Sequence, residues 1–250
     1  MAPTLIGAAE ADPSIRFAFS DADVGNVSLA VGVADTGARM RLASAVGSRA
    51  GHLVFMQQVH GGDVAVVGRD QRGRGLEDHA DGIAAVDALV TTDEDVVLAV
   101  LVADCVPVLL ADPGRAVAAA HAGRGGVATG VVGATVATLA PDDPGRVEAV
   151  IGPAIGGCCY EVERELAEAI ADEVPAARAT TTWGTPSLDL PAAAAAQLRA
   201  AGVERITRTG GCTRCTPSRW FSHRRAPGRG RQAGVVVRAP DGSAPGRRHA

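Results

Sequence analysis

Residues 99–113 read Ala-Val-Leu-Val-Ala-Asp-Cys-Val-Pro-Val-Leu-Leu-Ala-Asp-Pro, and residues 114–126 continue Gly-Arg-Ala-Val-Ala-Ala-Ala-His-Ala-Gly-Arg-Gly-Gly. Two apolar runs, 96–102 and 106–110, flank Asp104-Cys105. A third, 116–120, delivers His121 into a glycine-rich turn. Short apolar runs bounded by Asp, Pro and Gly predict buried strands. A thiol and an imidazole at the ends of such strands need partners, and a metal ion supplies them efficiently. Cys105 and His121 are therefore candidate ligands of a zinc-type site, with His60 as the third.

Around this stretch the composition is that of a folded globular chain: 250 residues, 47% hydrophobic, mean hydropathy +0.14. A net charge of −4 gives no bulk electrostatic case for a nucleic-acid partner. All 24 basic residues are arginine, which, with the abundant Ala and Gly, points to coding bias; scattered Arg and Ala runs therefore carry little weight. No apolar run is long enough to span a membrane, and residues 1–12 lack a basic segment followed by an apolar stretch. Five cysteines, an odd number, do not form a disulfide framework, so a reducing cytoplasm is expected.

Along the chain, strands are expected at 15–19, 53–59, 63–67, 88–91, 147–151, 203–207 and 234–237, with a short extended piece at 26–33. Helices are expected at 35–46 (capped by Asp35), 127–139, 161–174 and 192–201. Residues 68–79 read as a mobile surface loop and the tail beyond Ala239 as loose. There is no internal repeat or linker-like composition shift, so one domain is expected. Strands both alternate with helices and follow one another directly, which favours a mixed sheet.

The spacing of His60, Cys105 and His121, 45 and then 16 residues, is not a compact ligand motif. By residue type alone, a core cysteine and hydrogen-bonded imidazoles are the commoner outcome. Context favours metal, because both histidines precede glycine turns at expected strand ends. Two imidazoles and one thiolate leave a fourth position for water, as in a catalytic rather than a structural zinc site. Residues 123–126 either present backbone N–H groups to an anion or simply turn the chain into a helix. The loop 152–157 lacks the second glycine of a dinucleotide fingerprint. Cys158-Cys159 beside Tyr160 reads as packing. Cys212-Thr213-Arg214-Cys215 lacks a second pair of similar spacing, which argues against a zinc ribbon. The basic segment 219–231, with Trp220, Phe221 and His223, reads as a solvated loop or a substrate-facing wall.

Together, Gln58-Val59-His60-Gly61, Ala103-Asp104-Cys105-Val106-Pro107-Val108, His121-Ala122-Gly123, residues 151–156 followed by Cys159-Tyr160-Glu161-Val162, and Phe221-Ser222-His223-Arg224-Arg225 resemble the laccase-domain, or multicopper polyphenol oxidase, family. The family is also called purine nucleoside phosphorylase or peptidoglycan-editing factor, and the resemblance runs from about residue 15 to 238. It implies a single-domain α+β sandwich of mixed β-sheet flanked by helices. It also implies a metal site at His60, Cys105 and His121 holding zinc, with copper as the alternative ion. The implied activity is phosphorolysis of adenosine, inosine and methylthioadenosine, plus adenosine deamination, with Arg124, Gly125, Gly126 and Arg224 toward substrate and phosphate. Partners would be small molecules only, with no nucleic acid and no membrane, in a monomer or homodimer.

Two departures stand out. The family usually reads His-Ala-Gly-Trp-Arg-Gly, where this chain has Arg124 in place of Trp and Gly125 in place of Arg; and His223 stands where Tyr is usual. Two other readings stay open: a metal- or thiol-dependent amide hydrolase editing a peptidoglycan precursor with Cys105 as nucleophile, and a non-catalytic metal or nucleotide binder.

Overall fold

A computed structural model describes residues 4–240. The strands are β1 (Thr4–Ala8), β2 (Ile15–Phe19), β3 (Leu53–Val54), β4 (Val64–Val66), β5 (Ala88–Thr91), β6 (Val97–Val102), β7 (Val106–Asp112), β8 (Ala116–Ala122), β9 (Glu148–Ile151), β10 (Arg178–Thr180), β11 (Pro186–Leu188), β12 (Arg205–Arg208) and β13 (Gln232–Arg238). The helices are α1 (Thr36–Ala45), α2 (Arg124–Ala128), α3 (Val131–Leu139), α4 (Arg164–Glu173) and α5 (Leu190–Ala200).

The strands form a five-stranded sheet, β1-β2-β13-β6-β3, a six-stranded sheet, β12-β9-β7-β8-β5-β4, and a β10-β11 ribbon. Both large sheets are mixed, since β3–β6, β4–β5 and β9–β12 pair in parallel while the other pairs of the two sheets are antiparallel. This is the α+β arrangement expected.

The period-2 alternation of a strand explains why the central ones are apolar throughout. On β7, Leu109 and Ala111 face the space between the sheets, where they meet Phe17, Leu98 and Val236. Val106, Val108 and Leu110 face the opposite way, toward Val132 and Val136 of α3 and Leu198 of α5. β8 divides in the same way, Val117 and Ala119 inward and Ala116, Ala118, Ala120 and Ala122 under the helices. A third apolar layer covers the outer face of the other sheet, where Leu42 of α1 meets Val97, Ala99 and Val235. The layering is helix, sheet, sheet, helix.

Several expectations need correction. Residues 26–33 form no strand: the Asn26 side-chain amide donates to the Val31 and Val33 carbonyls and folds the segment into turns. The strand expected at 53–59 stops at Val54. Beyond it the backbone bonds outside the large sheets, Phe55 N–H to the Arg74 carbonyl and Gln57 N–H to the Ile83 carbonyl, so His60 sits in a loop rather than at a strand end. The helix expected at 127–139 begins at Arg124 and breaks at Gly130, whose φ of 77° belongs to the left-handed region. The described chain ends just past Ala239, which is buried and donates to the Ser14 carbonyl; the tail expected to be loose, residues 241–250, lies outside the described residues. No helix is long and apolar enough to cross a membrane among the described residues.

Candidate functional site

The β7–β8 hairpin brings two of the expected ligands together. Pro107 is registered opposite His121 and Val106 opposite Ala122, so Cys105, in the turn entering β7, lies beside the exit of β8. His60 comes from the loop after Val59. The candidate ligand atoms of His60, Cys105 and His121 all lie within 4.8 Å of one another. Cys105 Sγ is 3.7 Å from His60 Nε2, and the two imidazole rings meet edge-on with centroids 4.7 Å apart. Zinc–sulfur and zinc–nitrogen bonds at a tetrahedral angle place S and N about 3.6 Å apart. Donor types and spacing therefore fit one tetrahedral ion with three protein ligands and an open corner.

Asp87, at the head of β5, is the residue that sequence reasoning missed. Its buried carboxylate lies 2.7 Å from His121 Nδ1 and accepts the backbone N–H groups of Val59, His60 and Gly61 at 3.1, 2.9 and 2.7 Å. Its own carbonyl accepts the His121 N–H at 2.7 Å. Occupying Nδ1 leaves Nε2 of His121 free for a ligand, and the bond fixes the ring's orientation. The only signal for Asp87 in the sequence is a single acid heading the apolar run Ala88-Leu89-Val90.

Two ordinary residues here adopt left-handed backbone angles, His60 with φ 62° and Asp104 with φ 88°. Such conformations cost on the order of 1–3 kcal/mol each and persist only where the surroundings impose them. Asp87 imposes the first. The second is held by the Asp104 carboxylate, which accepts from Thr213 Oγ1 at 2.6 Å and from Arg224 N–H at 2.7 Å. The helix following His121 also approaches very closely. A Cβ on Gly123 would stand 2.8 Å from His60 Cδ2 and 3.1 Å from Cys105 Sγ; one on Gly125 would stand 2.4 Å from the His60 carbonyl oxygen. The glycines let α2 close over the ligand cluster.

The electrostatics follow from this enclosure. Burial pushes the Cys105 thiol up, but the His121 charge and hydrogen bonds from both imidazoles outweigh it and hold it at about 6. Burial works against a charged His121, yet the Cys105 thiolate and the Asp87 hydrogen bond raise it to about 9. Without a metal, the cluster is a thiolate–imidazolium pair at neutral pH.

The cluster lies in a cavity of about 700 Å³ whose wall carries Arg124, Tyr160, His223, Arg224 and Arg231. Arg224 stacks its guanidinium 4.8 Å from the Tyr160 ring centroid and donates from Nη1 to the Glu161 carbonyl. Burial keeps the Tyr160 phenol above its usual range, hence protonated. Of the residues expected toward substrate, Arg124, Gly125 and Arg224 line this cavity, whereas Gly126 is buried behind it against the His121 and Gly61 carbonyls. Arg231 was not foreseen individually, although the substrate-facing reading of 219–231 covers it.

The two cysteine pairs read separately in the sequence converge. Cys158, Cys159, Cys212 and Cys215 place their sulfurs within 4.8 Å of one another, so the Cys212–Cys215 pair is not isolated in space; Cys159 is buried, as the packing reading has it, and Cys158 is partly exposed.

The profile of the family described as multi-copper polyphenol oxidoreductase laccase matches residues 20–239. The chain belongs to this family. Relatives include the purine nucleoside phosphorylase SCO2081 of Streptomyces coelicolor, 46% identical over 80% of this chain and 81% of its own length. The purine nucleoside phosphorylase ORF3 of Streptomyces griseus is 42% identical over 89% of this chain and 94% of its own. Among solved structures, YlmD from Geobacillus stearothermophilus superposes with a TM-score of 0.86 at 32% identity, covering 96% of this chain and 98% of that one.

Proposed function

We propose that this family member is a metal-dependent purine nucleoside phosphorylase. The observation that carries the reading is the placement of a His60–Cys105–His121 ligand set in a cavity whose wall also presents three arginines. The names of the relatives supply the substrate class.

Zinc fits the donor set, one thiolate and two imidazoles. When bound, it supplies Lewis-acid polarisation of a substrate atom at the open corner. Arg124, Arg224 and Arg231 are the anion-binding groups and hold phosphate, with Gly125 allowing the close approach of α2. Phosphate attacks C1′ of the ribose, the glycosidic bond breaks, and its electron pair leaves with the base, which takes up the proton that hydrogen phosphate gives up on forming the ester. Tyr160, kept protonated by burial, serves as a hydrogen-bond donor to the departing base. Asp87 keeps the His121 ring oriented and its Nδ1 occupied. Deamination of adenosine, in which water adds to C6 of the purine and ammonia leaves, would be a second reaction of the same cavity.

The test is phosphate-dependent release of hypoxanthine from inosine and adenine from adenosine by metal-loaded protein, followed by chromatography. Base release that needs both phosphate and metal supports the reading. Metal-replete protein that turns over neither nucleoside overturns it.

One observation favours a second reading. Asp87, His121 and Cys105 also form an acid–imidazole–thiol series, with a thiol that ionises near 6. That is the arrangement of a thiol hydrolase acting on an amide such as a cell-wall precursor. Hydrolysis that persists after chelation and is abolished by Cys105→Ala would select it.

A further inference from the structure

The four-cysteine cluster is a group of its own, distinct from His60, Cys105 and His121. Cys158 and Cys159 follow the 152–157 glycine loop, while Cys212 and Cys215 bracket the turn after β12. The cluster joins two segments 54 residues apart (158 to 212). Cys215 Sγ lies 3.7 Å from Cys158 Sγ and 3.4 Å from Cys159 Sγ, and all four sulfurs are within 4.8 Å of one another. These separations are too long for a disulfide bond of about 2.05 Å. They match the edge of a tetrahedron of sulfurs around zinc, about 3.8 Å for a bond of about 2.3 Å.

Packing does not account for the cluster. Only Cys159 is buried; Cys158 and Cys212 are partly exposed and Cys215 is exposed, so the thiols do not fill a core. The Gly156 N–H donates to Cys212 Sγ at 3.3 Å, the kind of backbone contact that orients a sulfur ligand. Four soft donors with no oxygen or imidazole among them select a thiophilic ion and leave no open coordination position.

We propose that Cys158, Cys159, Cys212 and Cys215 form a closed tetrathiolate zinc site of structural type, separate from the His60–Cys105–His121 set. Its position gives it a task. The Cys158–Cys159 segment runs directly into Tyr160 and Glu161, and the Cys212–Cys215 turn contains Thr213, which donates to Asp104 beside Cys105. Further along the chain come Arg224 and Arg225; Arg225 donates to the Thr213 carbonyl. Zinc at this place staples the two segments that build the arginine-bearing wall of the cavity. The site is independent of which reaction that cavity performs.

The test is anaerobic cobalt and zinc titration of reduced full-length protein, with thiols counted beforehand. Wild type is expected to take about two zinc ions per chain, one for each cluster. Cys105→Ala is expected to retain a cobalt spectrum with the sulfur-to-metal charge-transfer intensity of four thiolates and to melt at a higher temperature with zinc than without. Cys215→Ser in the otherwise intact chain should lose that spectrum while keeping the weaker, single-thiolate one. If Cys215→Ser does not fold, the Cys105→Ala titration decides alone. A reduced Cys105→Ala protein that binds no cobalt, or gives no tetrathiolate signature, overturns the proposal. So does a native Cys158–Cys215 or Cys159–Cys215 disulfide whose reduction yields no zinc-binding protein.

Discussion

The Asp87 carboxylate and the His121 Nδ1 lie 2.7 Å apart with both side chains shut off from solvent. The same carboxylate receives three successive N–H groups from the loop carrying His60. One buried acid thus positions two imidazoles that arrive from different parts of the fold. Asp87→Asn preserves shape but removes the charge and turns an accepting oxygen into an amide donor. Zinc affinity of the His60–Cys105–His121 set should fall about 10- to 100-fold, the range seen when such outer partners are lost. Competition against a chromophoric chelator measures it, and unchanged affinity would refute the role.

Protonation makes the metal affinity pH-dependent in a defined direction. In the metal-free protein Cys105 is a thiolate above about 6, while His121 keeps a proton up to about 9. Between those limits metal entry expels one proton, from His121, so apparent zinc affinity should climb roughly tenfold per pH unit from about 6.5 to 8.5. A flat profile in that window would contradict it. By the same reasoning, alkylation of Cys105 in chelated protein should show a midpoint near 6 rather than near 9, read by mass spectrometry of the Cys105 peptide.

Gly125 tests the closeness of α2 to the ligand loop. A methyl group there would sit 2.4 Å from the His60 carbonyl oxygen, so Gly125→Ala must displace His60 or the helix. The expected result is weakened metal binding and a loss of about 1–3 kcal/mol in stability, typical of forced overpacking. Gly133→Ala, where nothing lies within 4 Å of the added carbon, is the control and should be neutral or slightly stabilising.

Arg124 lines the cavity and stands where the sequence resemblance implies tryptophan. If it grips phosphate, Arg124→Ala should raise KM for phosphate by about tenfold or more, in keeping with about 1.5–3 kcal/mol for a hydrogen bond to a charged group. KM for nucleoside should move little. Steady-state kinetics with each substrate varied in turn separates the two; an effect confined to the nucleoside would reassign Arg124 to the base.

Legibility in the sequence tracked burial. Strands β2 and β5 were expected with the bounds they have, because an apolar run enclosed on both faces has one reading. The 53–59 segment is apolar as far as Met56, yet only two residues join the sheet. What takes the rest is pairing with the 74–83 loop, a partner invisible from within the run. The helix over 127–139 was foreseen in kind but not its earlier start or its break at Gly130. His60, Cys105 and His121 were legible as residue types in suggestive contexts and as part of a family signature. Asp87 was not, since a lone aspartate before a strand looks like any turn residue.

Local chemistry, being written along the chain, determined the donor types, the double-sided apolar strands and the mixed α+β class. Convergence was decided only in three dimensions. Hairpin register put Cys105 beside His121, one buried carboxylate drew His60 to them, and two cysteine pairs that meant little apart met at one point. The physical reason is that a ligand site depends on distances between side chains remote in sequence, which hydrophobic burial and hydrogen-bond satisfaction set for the molecule as a whole.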